Sequence, residues 1–171
     1  MSKWSFRFVV AGVFAAGITG CSSENADSPM AQATPDATYV TSSEPQGAVA
    51  VGDARMEVKD EQEVVLVGRI GGSAEPFVDG IAAFTIVDSK VPHCSAEEGC
   101  PTPWDYCCEQ NQVKDNIAMV KIVDAQGKPV SQDARALLGV KELNLVVVRG
   151  KAQRDAEGNF ALLANQVYVK E

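Results

Sequence analysis

The sequence predicts an all-β fold, a small five-stranded barrel with one short helix, formed by the C-terminal part of the 171-residue chain. Three observations lead to this prediction. From Glu63 onward, short runs of β-branched and other apolar residues recur between turn residues. A short stretch of helical pattern separates the third run from the fourth. Gly68 and Gly150 fall late in long apolar runs, where a barrel strand must bend or bulge.

Each predicted strand is bounded by glycine, proline or acidic turn residues. In the third strand alternate residues are apolar, and Met119 and Lys121 fall on the opposite face, which predicts that this face points outward. A short helix follows, because Ser131 or Asp133 can cap its start and Gly139 can end it. The strands are predicted at residues 64–70, 82–87, 117–123, 143–152 and 160–169, and the helix at 131–138.

Three strands, a helix and two strands follow the order of the OB-fold, a Greek-key barrel with its helix between strands three and four. Residues 61–171 resemble that fold along their whole length. Their VGRI, FTIVD and VVVRGKA runs look most like the nucleic-acid-binding OB modules of the anticodon-binding type. The resemblance implies a ligand site across the second and third strands. A generic small β-sandwich is the alternative fold.

Composition argues against the oligonucleotide ligand that this resemblance implies. The chain has 23 acidic and 15 basic residues, a formal net charge of −8, whereas an oligonucleotide groove is basic. The predicted face also lacks an evident pair of stacking aromatic residues. We therefore expect a module that binds a protein, a peptide or a glycan, with nucleic acid disfavoured. Its candidate ligand platform consists of Arg69, Trp104, Tyr106, Met119, Lys121 and Arg149. For Trp104 and Tyr106 the alternative is a small core of the loop itself, packed over the end of the barrel.

The N-terminus has the layout of a secretory signal, with Lys3 and Arg7, no acidic residue in positions 1–20, and an apolar stretch. The sequence Ile18-Thr19-Gly20-Cys21 resembles the lipobox of bacterial lipoproteins, in which the cysteine is lipidated before the signal is removed. An ordinary signal cleaved near a cysteine is the alternative. The resemblance implies export and a lipid anchor at Cys21 in a bacterial membrane, and Ser22 favours the outer membrane, with the domain facing the periplasm.

Residues 21–60 are predicted to form the lipidated N-terminus and a flexible tether. They are rich in serine, alanine, threonine, aspartate and proline, without a sustained helical or alternating pattern. Such a segment has too little apolar surface to offset the entropy lost on ordering. The domain is therefore predicted to begin at residue 61.

A long insertion at residues 89–116 joins the second and third predicted strands, and it contains four of the five cysteines. A loop of this length must be fastened, and an exported protein favours disulfides. Because a vicinal Cys107–Cys108 bond would form a strained ring, two pairings remain. They are Cys94–Cys107 with Cys100–Cys108, and Cys94–Cys108 with Cys100–Cys107. In this hypothesis the protein has no cofactor.

The same cysteines also suit a zinc or copper site, with His93 as a possible extra ligand, because thiolates are preferred ligands of both metals. Their spacing lacks the paired C-x2-C motifs of zinc ribbons. A dithiol redox role is a third possibility. The single histidine has no serine elbow, HExxH motif or phosphate-binding glycine loop beside it, so no enzyme is predicted.

Overall fold

The computed structural model describes residues 34–95 and 99–170. The predicted signal, the lipobox with Cys21 and the first part of the predicted tether lie outside these residues. Within the described ranges, no helix is long and apolar enough to cross a bilayer. The elements are β1 (Ala48–Ala50), α1 (Val51–Glu57), β2 (Glu63–Ile70), β3 (Phe77–Val78), β4 (Ala83–Val87), α2 (Gln110–Val113), β5 (Ile117–Ile122), α3 (Ala134–Leu138), β6 (Leu145–Arg154) and β7 (Phe160–Lys170).

Five strands close into a barrel in the order β2-β6-β7-β5-β4, and β4 pairs back to β2. The pairing of β5 with β7 is parallel, and the other four pairings in the barrel are antiparallel. This is the topology of an OB-fold, which confirms the predicted all-β class. The ends of the five strands differ from the predicted ends by no more than two residues. The short elements β1, β3, α1 and α2 were not predicted.

Alternate residues of the barrel strands form one apolar core, as the period of a β-strand requires. Helix α3 closes the core, and its ends follow the predicted capping. The Asp133 carboxylate accepts a hydrogen bond from the Arg135 N–H (2.8 Å), and Gly139 ends the helix with φ of 68°. The largest fully buried core side chains are Val51, Leu66, Ile70, Phe84, Ile86, Val120, Ile122, Leu138 and Leu162.

The two strand glycines lie at irregular points of the barrel. A register shift interrupts the pairing of β6 with β7 between Arg149 and Gly150. A side chain at Gly150 would overlap the carbonyl oxygen of Leu163 in the neighbouring strand, so only glycine fits there. Gly68 precedes the point where β2, already paired with β6, also pairs with β4, beginning at Arg69. The predicted bulge near Gly150 is confirmed.

The second half of the predicted tether is packed on the barrel, which corrects the predicted boundary at residue 61. Val40 bridges to Val167 of β7, and β1 runs parallel to β2. Helix α1 buries Val51 completely. The guanidinium group of Arg154 donates to the Val58 carbonyl (3.0 Å), which fixes the segment that follows α1. The sequence pattern did not predict this segment, because its buried residues are isolated along the chain and pack against strands that are remote in the sequence.

Candidate metal centre

The cysteine-rich loop, residues 89–116, leaves and re-enters the barrel at one place. Its base is closed by a hydrogen bond from the Asp88 N–H to the Asn116 carbonyl (2.9 Å). Above this base lies a small second core, in which the loop residues Val91, Tyr106 and Val113 pack on Val87 at the end of β4. The partly buried Ile117 at the start of β5 completes this second core. The loop is therefore fastened to the barrel by apolar packing.

Trp104 ties the loop to the segment between β2 and β3. Its carbonyl accepts the N–H of Gly72 (2.8 Å), and its indole N–H donates to the Ala74 carbonyl (3.0 Å). The loop backbone lies so close that a Cβ at Gly71 would be 2.5 Å from the Trp104 carbonyl oxygen. The absence of a side chain at Gly71 thus leaves room for the loop backbone.

A turn at Asp105 and Tyr106 directs the chain back toward Cys94. The Asp105 carboxylate accepts hydrogen bonds from the Thr102 hydroxyl (2.7 Å) and from the Cys107 N–H (2.8 Å). These bonds lower the pKa of Asp105, the Thr102 hydroxyl having the larger effect. Tyr106 follows in the left-handed region, with φ of 55°. The resulting reversal of the chain places Cys107 beside Cys94.

The four loop cysteines converge. The Sγ atom of Cys107 lies 3.4 Å from that of Cys94, 3.4 Å from that of Cys100 and 3.8 Å from that of Cys108. All four Sγ atoms lie within 4.8 Å of one another. In a tetrahedral zinc site with Zn–S bonds of about 2.3 Å, the sulfur atoms are about 3.8 Å apart. The sulfur positions therefore fit a four-thiolate metal centre after small side-chain adjustments.

Burial and hydrogen bonds shift the pKa values of Cys94 and Cys107. Burial opposes the ionisation of Cys94, but hydrogen bonds from the Cys107 thiol and the Cys108 N–H outweigh it, and the pKa of Cys94 is lowered. The pKa of Cys107 is raised, because its thiol is hydrogen-bonded to Cys100, Cys94 and Cys108. The pKa values of the neighbouring thiols Cys94 and Cys107 are therefore shifted in opposite directions.

His93, the possible extra ligand, does not join the four sulfur atoms. It is exposed, and its ring packs edge-on against Tyr106, with 6.4 Å between the ring centroids. Tyr106 itself is fully buried, and its hydroxyl has no hydrogen-bond partner among the described residues. Burial raises the pKa of Tyr106. Its role is therefore to fill the second core.

The predicted ligand platform is not one surface. Tyr106 is buried and Trp104 is half-buried in the loop. Arg69 donates a hydrogen bond to the Leu143 carbonyl (2.8 Å).

The other three platform residues lie on different strands. Met119 and Lys121 lie on β5, whereas Arg149 lies on β6, with β7 between the two strands. Arg149 instead lines an open cleft of about 490 Å³ together with residues 37–42, Asn165 and Gln166.

Asp88 is a positioning residue that sequence reasoning missed. It is 1% exposed, and its carboxylate accepts hydrogen bonds from the N–H groups of Gly52 in α1 (2.9 Å) and Lys90 (3.0 Å). The Lys90 ammonium lies 3.3 Å from the same carboxylate. Asp88 thus joins the start of the loop to α1. In the sequence it resembles an ordinary turn residue, because its partner Gly52 lies in the segment assigned to the tether.

Comparison with known proteins assigns no family. No family model and no curated protein match the sequence. Among solved structures, a putative aspartyl-tRNA synthetase from Leishmania major Friedlin is similar, with a TM-score of 0.40 and 9% sequence identity. The similarity covers 79% of this chain but 23% of that one, so this chain spans less than a quarter of the length of the synthetase. The fold assignment rests on the strand topology, and the site is described from its own geometry.

Proposed function

We propose that this protein is an exported lipoprotein whose OB-fold domain binds a thiophilic d10 metal ion, Zn²⁺ or Cu⁺, through Cys94, Cys100, Cys107 and Cys108. The observation that carries the proposal is the convergence of the four sulfur atoms within 4.8 Å. The barrel serves as a rigid support, and the second core holds the loop in place. The role is binding without catalysis, and the lipid at Cys21 keeps the domain at the membrane.

The arrangement of the sulfur atoms favours one shared ion over two disulfides. Two disulfides would group four sulfur atoms into two separate pairs. Here Cys107 is equally close to Cys94 and Cys100, at 3.4 Å from each, and nearly as close to Cys108, at 3.8 Å. Since all four sulfur atoms also lie within 4.8 Å of one another, a single ion can bond to all of them at once.

Titration of the purified, fully reduced protein with Co²⁺ tests the metal site. Cobalt reports a tetrahedral thiolate site through intense thiolate-to-metal absorption bands, which zinc does not have. We expect about one Co²⁺ per chain, displaced by Zn²⁺, with binding that weakens as the pH falls because protons compete for the thiolates. His93→Ala is the matched control and should bind cobalt like the native protein.

The disulfide hypothesis makes the opposite prediction for the isolated protein. Its loop cysteines would be oxidised in two pairs, and the chain would be about 4 Da lighter than after reduction, from the loss of four hydrogens. A protein that is isolated in this form and binds no cobalt when reduced would contradict the metal proposal. Native protein that carries zinc or copper as isolated, with its four loop thiols reduced, would support it.

The membrane anchor is tested by replacing Cys21 with serine. Two or more acyl chains hold a protein stably on a bilayer, and Cys21 is the residue with the sequence context for lipidation. We expect the native protein in the membrane fraction and Cys21→Ser lost from it. Cys94→Ser is the matched control and should remain with the membranes. Recovery of Cys21→Ser in the membrane fraction at the native level would refute the lipid anchor.

A further inference from the structure

We infer that the four-cysteine site is an exchange site, which passes its metal ion to an incoming thiol-bearing acceptor. This inference rests on the proposed function, because it requires that the four sulfur atoms bind an ion. It is carried by the unequal exposure of the ligands. Cys94 is 4% exposed and Cys100 is half-buried, whereas Cys107 and Cys108 are exposed.

The buried side of the site is the side toward the second core. Cys94 follows Val91, which is 2% exposed, and Tyr106, which precedes Cys107, is fully buried. The chain turns outward after Tyr106, so that Cys107 and Cys108 present their side chains to solvent. A bound ion would therefore be held from the inside by Cys94 and reached from the outside past Cys107 and Cys108.

Cys107 lies on this open side, and its sulfur is within 3.8 Å of each of the other three. A ligand that contacts solvent can be replaced stepwise, whereas a permanent structural site is closed around its ion. Replacement of Cys107 or Cys108 by an external thiolate would leave the ion attached to Cys94 while the acceptor begins to bind. The geometry thus allows transfer without a free metal ion in solution.

The transfer is a ligand exchange and needs no oxidant or reductant. An acceptor thiol loses its proton and forms a metal–sulfur bond, while the bond to Cys108 or Cys107 breaks and the released thiolate takes up a proton. Repetition moves the ion to the acceptor. Each metal–sulfur bond lost by the protein is replaced by one in the acceptor, and the oxidation state of the metal does not change.

Stopped-flow transfer of cobalt to a small dithiol tests the inference. The full-length protein is loaded with one Co²⁺ and mixed with dithiothreitol in increasing excess, and the loss of the protein's cobalt bands is followed. In an associative exchange, the dithiol enters the rate-limiting step. We therefore expect the observed rate to rise in proportion to the dithiol concentration, about 10-fold for each 10-fold increase. A rate independent of that concentration would show a closed site and overturn the inference.

Cys108→Ser provides a second measurement, in which the rate constant of the variant is compared with that of the native protein. Loss of one exposed ligand frees a coordination position on the open side, so the second-order rate constant should rise by about 10-fold. An unchanged constant would contradict entry past Cys108. The loading step separates the two proposals. A chain that takes up no cobalt contradicts the proposed function, whereas a chain that binds one ion and releases it without the help of the dithiol contradicts only the exchange.

Discussion

Replacing Cys94 with serine should lower the affinity of the protein for zinc by more than about 100-fold. Mutation of a residue that only hydrogen-bonds to a metal ligand costs about 10- to 100-fold, and loss of a ligand itself should cost more. Cys94 is the buried member of the four, at 4% exposure, and its pKa is lowered by the hydrogen bonds that converge on its sulfur. A serine hydroxyl stays protonated at neutral pH and is a poor ligand for a soft metal ion.

Competition with a chromophoric zinc chelator measures this loss of affinity. Cys108→Ser is the matched control, because it makes the same chemical change at an exposed sulfur, and it should lose less affinity than Cys94→Ser. Circular dichroism of each variant would verify that the barrel remains folded. An affinity of Cys94→Ser within threefold of the native value would show that Cys94 is not a ligand.

Replacing Asp88 with alanine should lower the free energy of unfolding by about 3 kcal/mol. The Asp88 carboxylate is 1% exposed and accepts hydrogen bonds from two backbone N–H groups, those of Gly52 and Lys90. Without it, the buried N–H of Gly52 has no partner, which costs about 1–3 kcal/mol. The bond between a charged acceptor and the Lys90 N–H is lost as well. The start of the loop and α1 should loosen together.

Urea unfolding of the zinc-saturated protein measures this change. The matched control is Asp53→Asn, which removes the other carboxylate near Lys90. Asp53 is exposed, and its carboxylate lies 3.9 Å from the Lys90 ammonium, so its loss should cost no more than about 0.5 kcal/mol. Equal stabilities of Asp88→Ala and Asp53→Asn would contradict the role given to the buried carboxylate.

The barrel could be predicted from the sequence because each strand is recognisable from a short stretch of residues. In each long strand the residues that face the core alternate along the sequence, and Gly150 marks the bulge where a side chain has no room. Segment 34–60 gave no such pattern. Its buried residues, such as Val51, are held by contacts with strands far along the chain, and periodicity within a short window does not record those contacts.

The candidate site could be predicted as a set of residues but not as an arrangement. Cysteine spacing identified Cys94, Cys100, Cys107 and Cys108, yet spacing along an irregular loop does not fix distances in space. The convergence depends on the left-handed turn at Tyr106 and on the Asp105 side chain that holds it. Tyr106 belongs to the predicted platform, but it is buried in the second core, which the loop and the barrel form jointly.

The hydrogen-bonded base of the cysteine-rich loop has a consequence for inserting this loop into an OB barrel, removing it or transferring it to another barrel. Because Asp88 and Asn116 are hydrogen-bonded neighbours, the pairing of β4 with β5 needs no more than a short hairpin turn between them. An OB barrel can therefore gain or lose the whole cysteine-rich loop as a single insertion, since loop length adds little entropic cost. Transplanting the loop is harder. A recipient barrel must supply apolar residues in place of Val87 and Ile117. It must also have a glycine in place of Gly72, because φ is 98° there and a side chain would overlap those of Val87 and Ile117.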